Sequence, residues 1–279
     1  MNTSRQYGFI APVLDKEKDY FLGGFRSAPF EVLQEDGQWD KFLSPTEIQH
    51  NAVFDSYNCT AYGTLNSLEL LMIRKFGIKT NFSERYTGVC AGTYPPGNSP
   101  QVVIENIRTT SGLIEEISLP FTSFDTQMTL DQYYSPKPME DRLIRKGKKF
   151  LEEYTIKHEW VYQSGEERGA IKLKTALKSS PLGVSVNAWY KDGDLYVKKG
   201  SDNHWCCLVG YEDEKFWKVY DSYDGGIKKL AWNYDFGFIK RYHIEKQTIK
   251  KISWYDWLRD FNLCKVYGFG KYAGANSRQ

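Results

Sequence analysis

Apolar positions recur at helical spacing along much of the chain before Pro181 and form short β-prone runs after it. Ala61, Leu65, Leu68 and Met72 fall 4, 3 and 4 residues apart, which is one face of a helix. Asp55, Ser56 and Asn58 are all good N-cap types, and Gly77 suits a left-handed cap. The pattern therefore predicts a helix opening at Cys59 and ending at Gly77. "QVVIENIRTTSGLIEE" (101–116) predicts a second helix ending near Gly112. "PMEDRLIRKGKKFLEEY" (138–154) predicts a third, with its basic run as a solvated face, and "IKLKTALKSS" (171–180) a short fourth. "CAGTYPPGNSP" (90–100) is a loop by its Gly and Pro content.

After Pro181 the runs "LGVSVNAWY", "HWCCLVGY", "KFWKVYDSY" and "FGFIKRYHI" are separated by Gly, Asp and Lys turns and read as strands. Helices lead and strands follow, so the expected class is α+β with two lobes. Residues 1–36 carry mixed Gly, Pro and charged signals and read as an extension draped over a domain. In 248–279, "SWYDWLRDF" sets Trp254, Trp257, Leu258 and Phe261 on one helical face, a tail expected to dock on the domain. No internal repeat or low-complexity tract interrupts the chain.

Composition narrows the function classes. A net charge of +2 lacks the basic footprint of a nucleic-acid partner. No apolar run reaches the length of about 18 residues that a membrane helix needs. The start has no basic stretch leading into a long apolar one, so no secretory signal is expected. Five cysteines (59, 90, 206, 207 and 264), odd in number and without a C-x-x-C pair, favour a reducing compartment over a disulfide framework. Asn58-Cys59-Thr60 matches a glycosylation sequon formally, but a sugar there would cover Cys59. The expected location is the cytoplasm, or a virus particle. Twenty tyrosines and eight tryptophans are first a packing resource, and secondly suit a groove for extended chains.

The chemistry converges on "DSYNCTAYGTLNSLELL" (55–71). A thiolate is the reactive form of cysteine. A helix N-terminus carries about half a positive charge and free N–H groups, which favour a thiolate and an oxyanion. A nucleophilic cysteine needs a base, and the base an orienting partner. Of four histidines, His50 sits in a polar loop, and His158 and His243 lie in charged runs expected at the surface. His204 heads an apolar strand. A hairpin turn centred between Glu212 and Asp213 would set Asp221 opposite His204, about 5 Å away on one face. Cys206 and Cys207 alternate to opposite faces of that strand and cannot both bind one ion, so no metal site is expected.

The segments then acquire a common pattern. "CTAYGTLNSLE" resembles the papain family's "CWAFxxxxxxE", and "FSERYTGVC" its "LSEQxLVDC". "CAGTYP" resembles "CNGGYP", and "PLGVSVNA" resembles "GPVSVAI". "NHWCCLVGY" and "FWKVYDSYDG" resemble "DHAVxxVGY" and "YWxxKNSWG". The matches keep the family's order over about residues 39–242. The resemblance implies a two-lobe fold within residues 37–247, with a helical lobe near 50–130, an antiparallel β lobe near 131–247 and the site between them. It implies peptide-bond hydrolysis through a thioester, with no cofactor and a monomeric enzyme acting on a peptide or protein. By position, Cys59 would be the nucleophile, His204 the base and then the acid, and Asp221 the group orienting the imidazole. Gln49 would join the Cys59 N–H in an oxyanion hole. Tyr223 would shield the His–Asp contact, and Gly92, Thr93, Tyr94 and Trp205 would line the substrate cleft.

Several departures carry consequences. The family's Gln lies six residues before its Cys, whereas Gln49 lies ten before Cys59 and Val53 takes the sixth place. Ser56 replaces a cysteine, which leaves Cys90 without the family's disulfide partner. Asp221 replaces an Asn and adds a charge expected to stabilise the imidazolium. Thr93 and Trp205 replace smaller residues and are expected to narrow the cleft. Only about 36 residues precede "QWDKF", the match to the mature start, too few for the family's prodomain; they would be either a short self-inhibiting strap or simply part of the fold. Two other readings compete: a papain-like scaffold that binds extended peptides, and a cysteine amidase acting on peptidoglycan, whose Cys–His spacing is typically much shorter than the 145 residues found here.

Overall fold

A computed structural model describes residues 7–247 except 25, 44–46, 122–125, 136–140, 163–165 and 167–168. The segment "SWYDWLRDF" lies outside the described residues.

Helix α1 (Cys59–Phe76) forms where its periodicity predicts, with Asn58 as N-cap and Gly77 left-handed at φ 68°. Its surroundings exceed a one-faced pattern: every residue from Cys59 to Met72 is buried, as in a helix at the centre of a domain. The Asn58 side chain does not cap the helix. It donates instead to Glu84 O and the Tyr133 hydroxyl. Helix α2 (Glu84–Cys90), capped by Ser83, was not expected from the sequence. Helix α3 (Pro100–Asn106) runs into a π-helical turn (Ile107–Ser111) that Gly112 ends. Helices α4 (Leu130–Tyr134), α5 (Asp141–Glu153) and α6 (Ala170–Leu177) follow. Helix α5 packs on the helical side, where a Cβ at Gly147 would sit 2.0 Å from Ser111 O.

Ten strands are described: β1 (Gly8–Phe9), β2 (Gly97–Asn98), β3 (Tyr154–Trp160), β4 (Leu182–Val186), β5 (Lys191–Asp192), β6 (Leu195–Tyr196), β7 (His204–Glu212), β8 (Phe216–Tyr220), β9 (Ile227–Ala231) and β10 (Ile239–Lys246). The last eight form one sheet in the order β3-β10-β4-β7-β8-β9-β6-β5. All its pairings are antiparallel except β6 with β9. The fold is α+β, and a large apolar core joins α1 to β4, β7, β8 and β10. Gly63 lets α1 lie directly on β7. A Cβ there would come 2.9 Å from the Trp205 ring and 3.1 Å from the Cys206 backbone.

Two expectations are corrected. Edge strand β3 pairs with β10 and carries His158 inward, and His243 on β10 is buried as well. Neither is a surface residue. His158 Nε2 donates to Glu105 Oε1 at 2.9 Å, and Lys240 Nζ donates to His158 Nδ1 at 3.1 Å. Charged runs can enter a sheet when partners satisfy them, as Arg241 does for Glu159. The β7–β8 register also differs: Glu212 pairs with Phe216, and beyond a bulge at Leu208/Gly210, Cys207 pairs with Tyr220. At the far end the partners are slipped by two residues from the expected hairpin.

The extension packs along the domain. Leu22 N donates to Trp160 O and Leu33 N to Lys178 O; Trp39, just beyond the extension, is fully buried. Among the described residues no helix is long and apolar enough to cross a membrane.

Candidate active site

Three elements meet at the site. Cys59 is the first residue of α1, His204 opens β7, and Asp221 follows β8. His204 Nε2 and Asp221 Oδ1 are 2.7 Å apart and both residues are fully buried. The two-residue slip preserves this contact, because a shift of two keeps a side chain on the same face of a sheet. His204 Nδ1 is buried and has no hydrogen-bond partner. Cys59, on the helix that Gly63 seats against β7, also takes the Trp205 backbone N–H toward its thiol.

The thiol is not favoured as a thiolate in this state. Burial pushes Cys59 well up, and this outweighs the Trp205 and Thr60 N–H groups that oppose it. Asp221 behaves differently. Burial raises its carboxyl, but the His204 hydrogen bond and charge, with the Lys228 ammonium, hold it below the usual range. Tyr223 N and Asp224 N also donate to it, at 3.1 Å each.

Gln49 reaches the site despite its displacement. Residues 51–54 form a turn closed by a His50–Asp55 bridge, with the Asn51 side chain accepting from Val53 N and Phe54 N. Those four residues account for the ten-residue spacing, and they carry Val53 out to solvent. Gln49 N donates to Ser222 O at 2.8 Å, beside Asp221. Its Nε2 donates to Asp55 Oδ1 and Tyr7 O, each at 3.0 Å.

Residues 7–9, within the extension that the sequence leaves open as a self-inhibiting strap or simply part of the fold, cover this centre. Tyr7 N donates to Asn203 O at 3.2 Å. The Tyr7 ring lies 5.3 Å from the His204 ring and 4.6 Å from that of Tyr223. Phe9 stacks on Trp205 with centroids 5.8 Å apart and shares an apolar cluster with Cys59. Gly8 has φ 106°, and a Cβ there would fall 2.0 Å from Tyr57 O, so only glycine fits this approach. Trp189 flanks His204 edge-on at 5.8 Å.

The remaining expected residues divide. The Tyr223 ring packs between those of Tyr7 and His50, 4.6 Å and 4.5 Å away, and the Tyr223 backbone N–H donates to Asp221 Oδ1. Trp205 is wholly buried with Phe9 stacked on it. Thr93 is buried with its N–H bonded to Gly88 O, while Gly92 is open to solvent. Tyr94 is exposed and donates to Asp131. Asn58 is fully buried, so the sequon is inaccessible in the folded chain. Tyr7, Trp189 and Lys228 escaped the sequence reading, and no local pattern marks them.

His204, Cys206 and Asp221 place three potential metal donors within 4.8 Å of one another. The set suits an ion poorly, since Asp221 commits both oxygens to N–H donors and burial keeps the Cys206 thiol protonated. Cys207 points the other way, toward Ser67.

Protein-family models give no match to the chain, and curated protein sequences give none either. Solved structures do match. Bromelain from Ananas comosus, in complex with the E64 inhibitor, superposes with TM-score 0.52 at 17% identity over 75% of this chain and 98% of its own. Procathepsin L2 proteinase from Tenebrio molitor larval midgut gives 0.56 at 15% over 85% and 78%. The proform of Amb a 11, a ragweed pollen cysteine protease, gives 0.51 at 15% over 77% and 67%. The chain has the fold of the papain-like cysteine proteases.

Proposed function

We propose that the chain is a cysteine peptidase that hydrolyses peptide bonds in a peptide or protein through Cys59, His204 and Asp221. The observation that carries the reading is the buried His204–Asp221 hydrogen bond, which leaves Nδ1 of the same ring unpartnered, on a strand against which the helix beginning with Cys59 packs. Once the cleft is open, the Cys59 thiol gives its proton to His204 Nδ1 and the sulfur attacks the scissile carbonyl. The oxyanion takes hydrogen bonds from the Cys59 N–H and Gln49 Nε2. The imidazolium then protonates the leaving amine, and a thioester remains. Water, deprotonated by His204, hydrolyses the thioester and restores the thiol. Asp221 holds the ring with Nδ1 facing the sulfur.

The test is incubation of purified protein with E-64, followed by mass spectrometry to locate the adduct. The expected result is one adduct on Cys59, lost in Cys59→Ala and strongly reduced in His204→Ala. Equal modification of several cysteines, or none after the covering segment is loosened, would overturn the reading. The peptide-binding scaffold would then lead, favoured by the way Tyr7 and Phe9 already fill the centre as an extended peptide would.

A further inference from the structure

Lys228 lies on β9, two strands away from β7, and no motif singles it out. Its ammonium is 3.3 Å from Asp221 Oδ2 and 3.0 Å from Asp224 Oδ2, and its side chain is 7% exposed. The Trp189 and Tyr196 rings enclose it, with centroids 5.1 Å and 5.2 Å away. The two Asp221 oxygens are thereby divided. Oδ1 serves His204 and Tyr223 N–H, and Oδ2 faces Lys228 and Asp224 N–H.

We propose that Lys228 is a positioning residue. It neutralises Asp221 so that the pair presents to His204 an oriented acceptor with little net charge, and so sets the pH at which the imidazolium releases its proton. An unpaired Asp221 would hold that proton more tightly, because an opposite charge within hydrogen-bond reach favours the charged imidazole. The pair thus does the work of the neutral amide that the papain pattern places here, and at the same time fixes the carboxylate plane. In its catalytic meaning the inference rests on the peptidase reading. The electrostatic pairing itself does not.

The other titratable groups facing this assembly do not replace Lys228. Cys59 on α1 and Cys206 on β7 are buried thiols held neutral. Asp224 shares the same ammonium, Tyr196 on β6 adds only a phenol, and Asp55 before α1 accepts from Gln49. The ammonium itself is held up by Asp221 and Asp224 against the cost of burial.

Four histidines make a direct measurement practical. Imidazole nitrogen NMR on the full chain gives each titration midpoint, and the His204 signal is the one missing in His204→Gln. Lys228→Met is expected to raise the His204 midpoint by about one unit. Lys228→Arg should restore it to within a few tenths. In an Asp221→Asn background, Lys228→Met should move nothing. An unmoved midpoint in folded Lys228→Met, or an equal shift without the Asp221 carboxylate, overturns the proposal. If Lys228→Met fails to fold, Lys228→Gln, which keeps a polar end at nearly the same reach, is read by the same criterion. Failure of the peptidase reading is seen separately, as a missing E-64 adduct on Cys59. A shifted His204 midpoint in such a protein would still support the pairing.

Discussion

The Gln49 side-chain amide donates a 3.0 Å hydrogen bond to the main-chain carbonyl of Tyr7. The donor that would receive an oxyanion is thus occupied by the chain's own N-terminal segment. The same residue lays its ring on His204, and Phe9 closes over Trp205 beside Cys59.

Loosening this cover should expose the thiol. Tyr7 and Phe9 make four ring contacts between them; at about 0.5 kcal/mol each these total about 2 kcal/mol, which corresponds to about thirtyfold in an opening equilibrium. Tyr7→Ala combined with Phe9→Ala is therefore expected to raise the rate of Cys59 alkylation by E-64 about thirtyfold, measured by intact mass over time. An unchanged rate would show that residues 7–9 do not limit access.

Gly63 decides how closely the nucleophile's helix approaches the base's strand. Gly63→Ala must push against backbone at Cys206, which cannot swing aside as a long side chain would. A cost of about 1–3 kcal/mol is expected, seen as a lower melting temperature. Alkylation of Cys59 should also slow, because α1 is forced away from His204. A variant as stable and as reactive as wild type would argue against this close contact.

A group of buried carboxyls on the helical side should make stability fall as pH rises. Burial, reinforced by the neighbouring Glu47 charge, pushes Glu116 up to about 7 against the Phe121 N–H, from an unfolded value of about 4.3. A raised folded value means stability is fully present below about 4.3 and is lost as pH rises through about 7. Glu116→Gln keeps the acceptor for Phe121 N and removes the titration. Its melting temperature should match wild type near pH 4 and exceed it by a few degrees at pH 8. Parallel melting curves across that range would refute this account.

His158 acts in the opposite direction. Burial, then the Lys240 charge, hold it down to about 3 although Glu105 opposes both, against about 6.5 when unfolded. Its contribution is present above about 6.5 and is lost as pH falls toward 3. His158→Gln should melt below wild type at pH 7, and the gap should narrow steadily down to pH 4. Thermal melts at four or five pH values check this.

Much of the site could be read without the structure because its signals are local. The 4-3-4 spacing from Ala61 to Met72 and Gly77 beyond it are sufficient for a helix, and they place Cys59 at its start. The His204–Asp221 contact was reachable even from a wrong register, because side chains alternate with a period of two and the error was two. Gln49 was chosen as a candidate by residue type alone, and its place beside Ser222 and Tyr7 was hidden by the loop that follows it.

What the sequence by itself determined is the set of groups and the faces of their own elements: a cysteine at a helix start, a histidine on a strand, and an acid on the same side of the next strand. Tertiary structure decided the charge states and the access. Lys228 comes to Asp221 only through the β8–β9 pairing, Tyr7 reaches Gln49 only because a distant segment lies over this centre, and burial among Phe9, Phe21, Trp160 and Trp205 keeps the Cys59 thiol protonated. Local periodicity reports which way a residue faces. It carries no information on which remote segment arrives opposite it, and desolvation and charge pairing depend on that arrival.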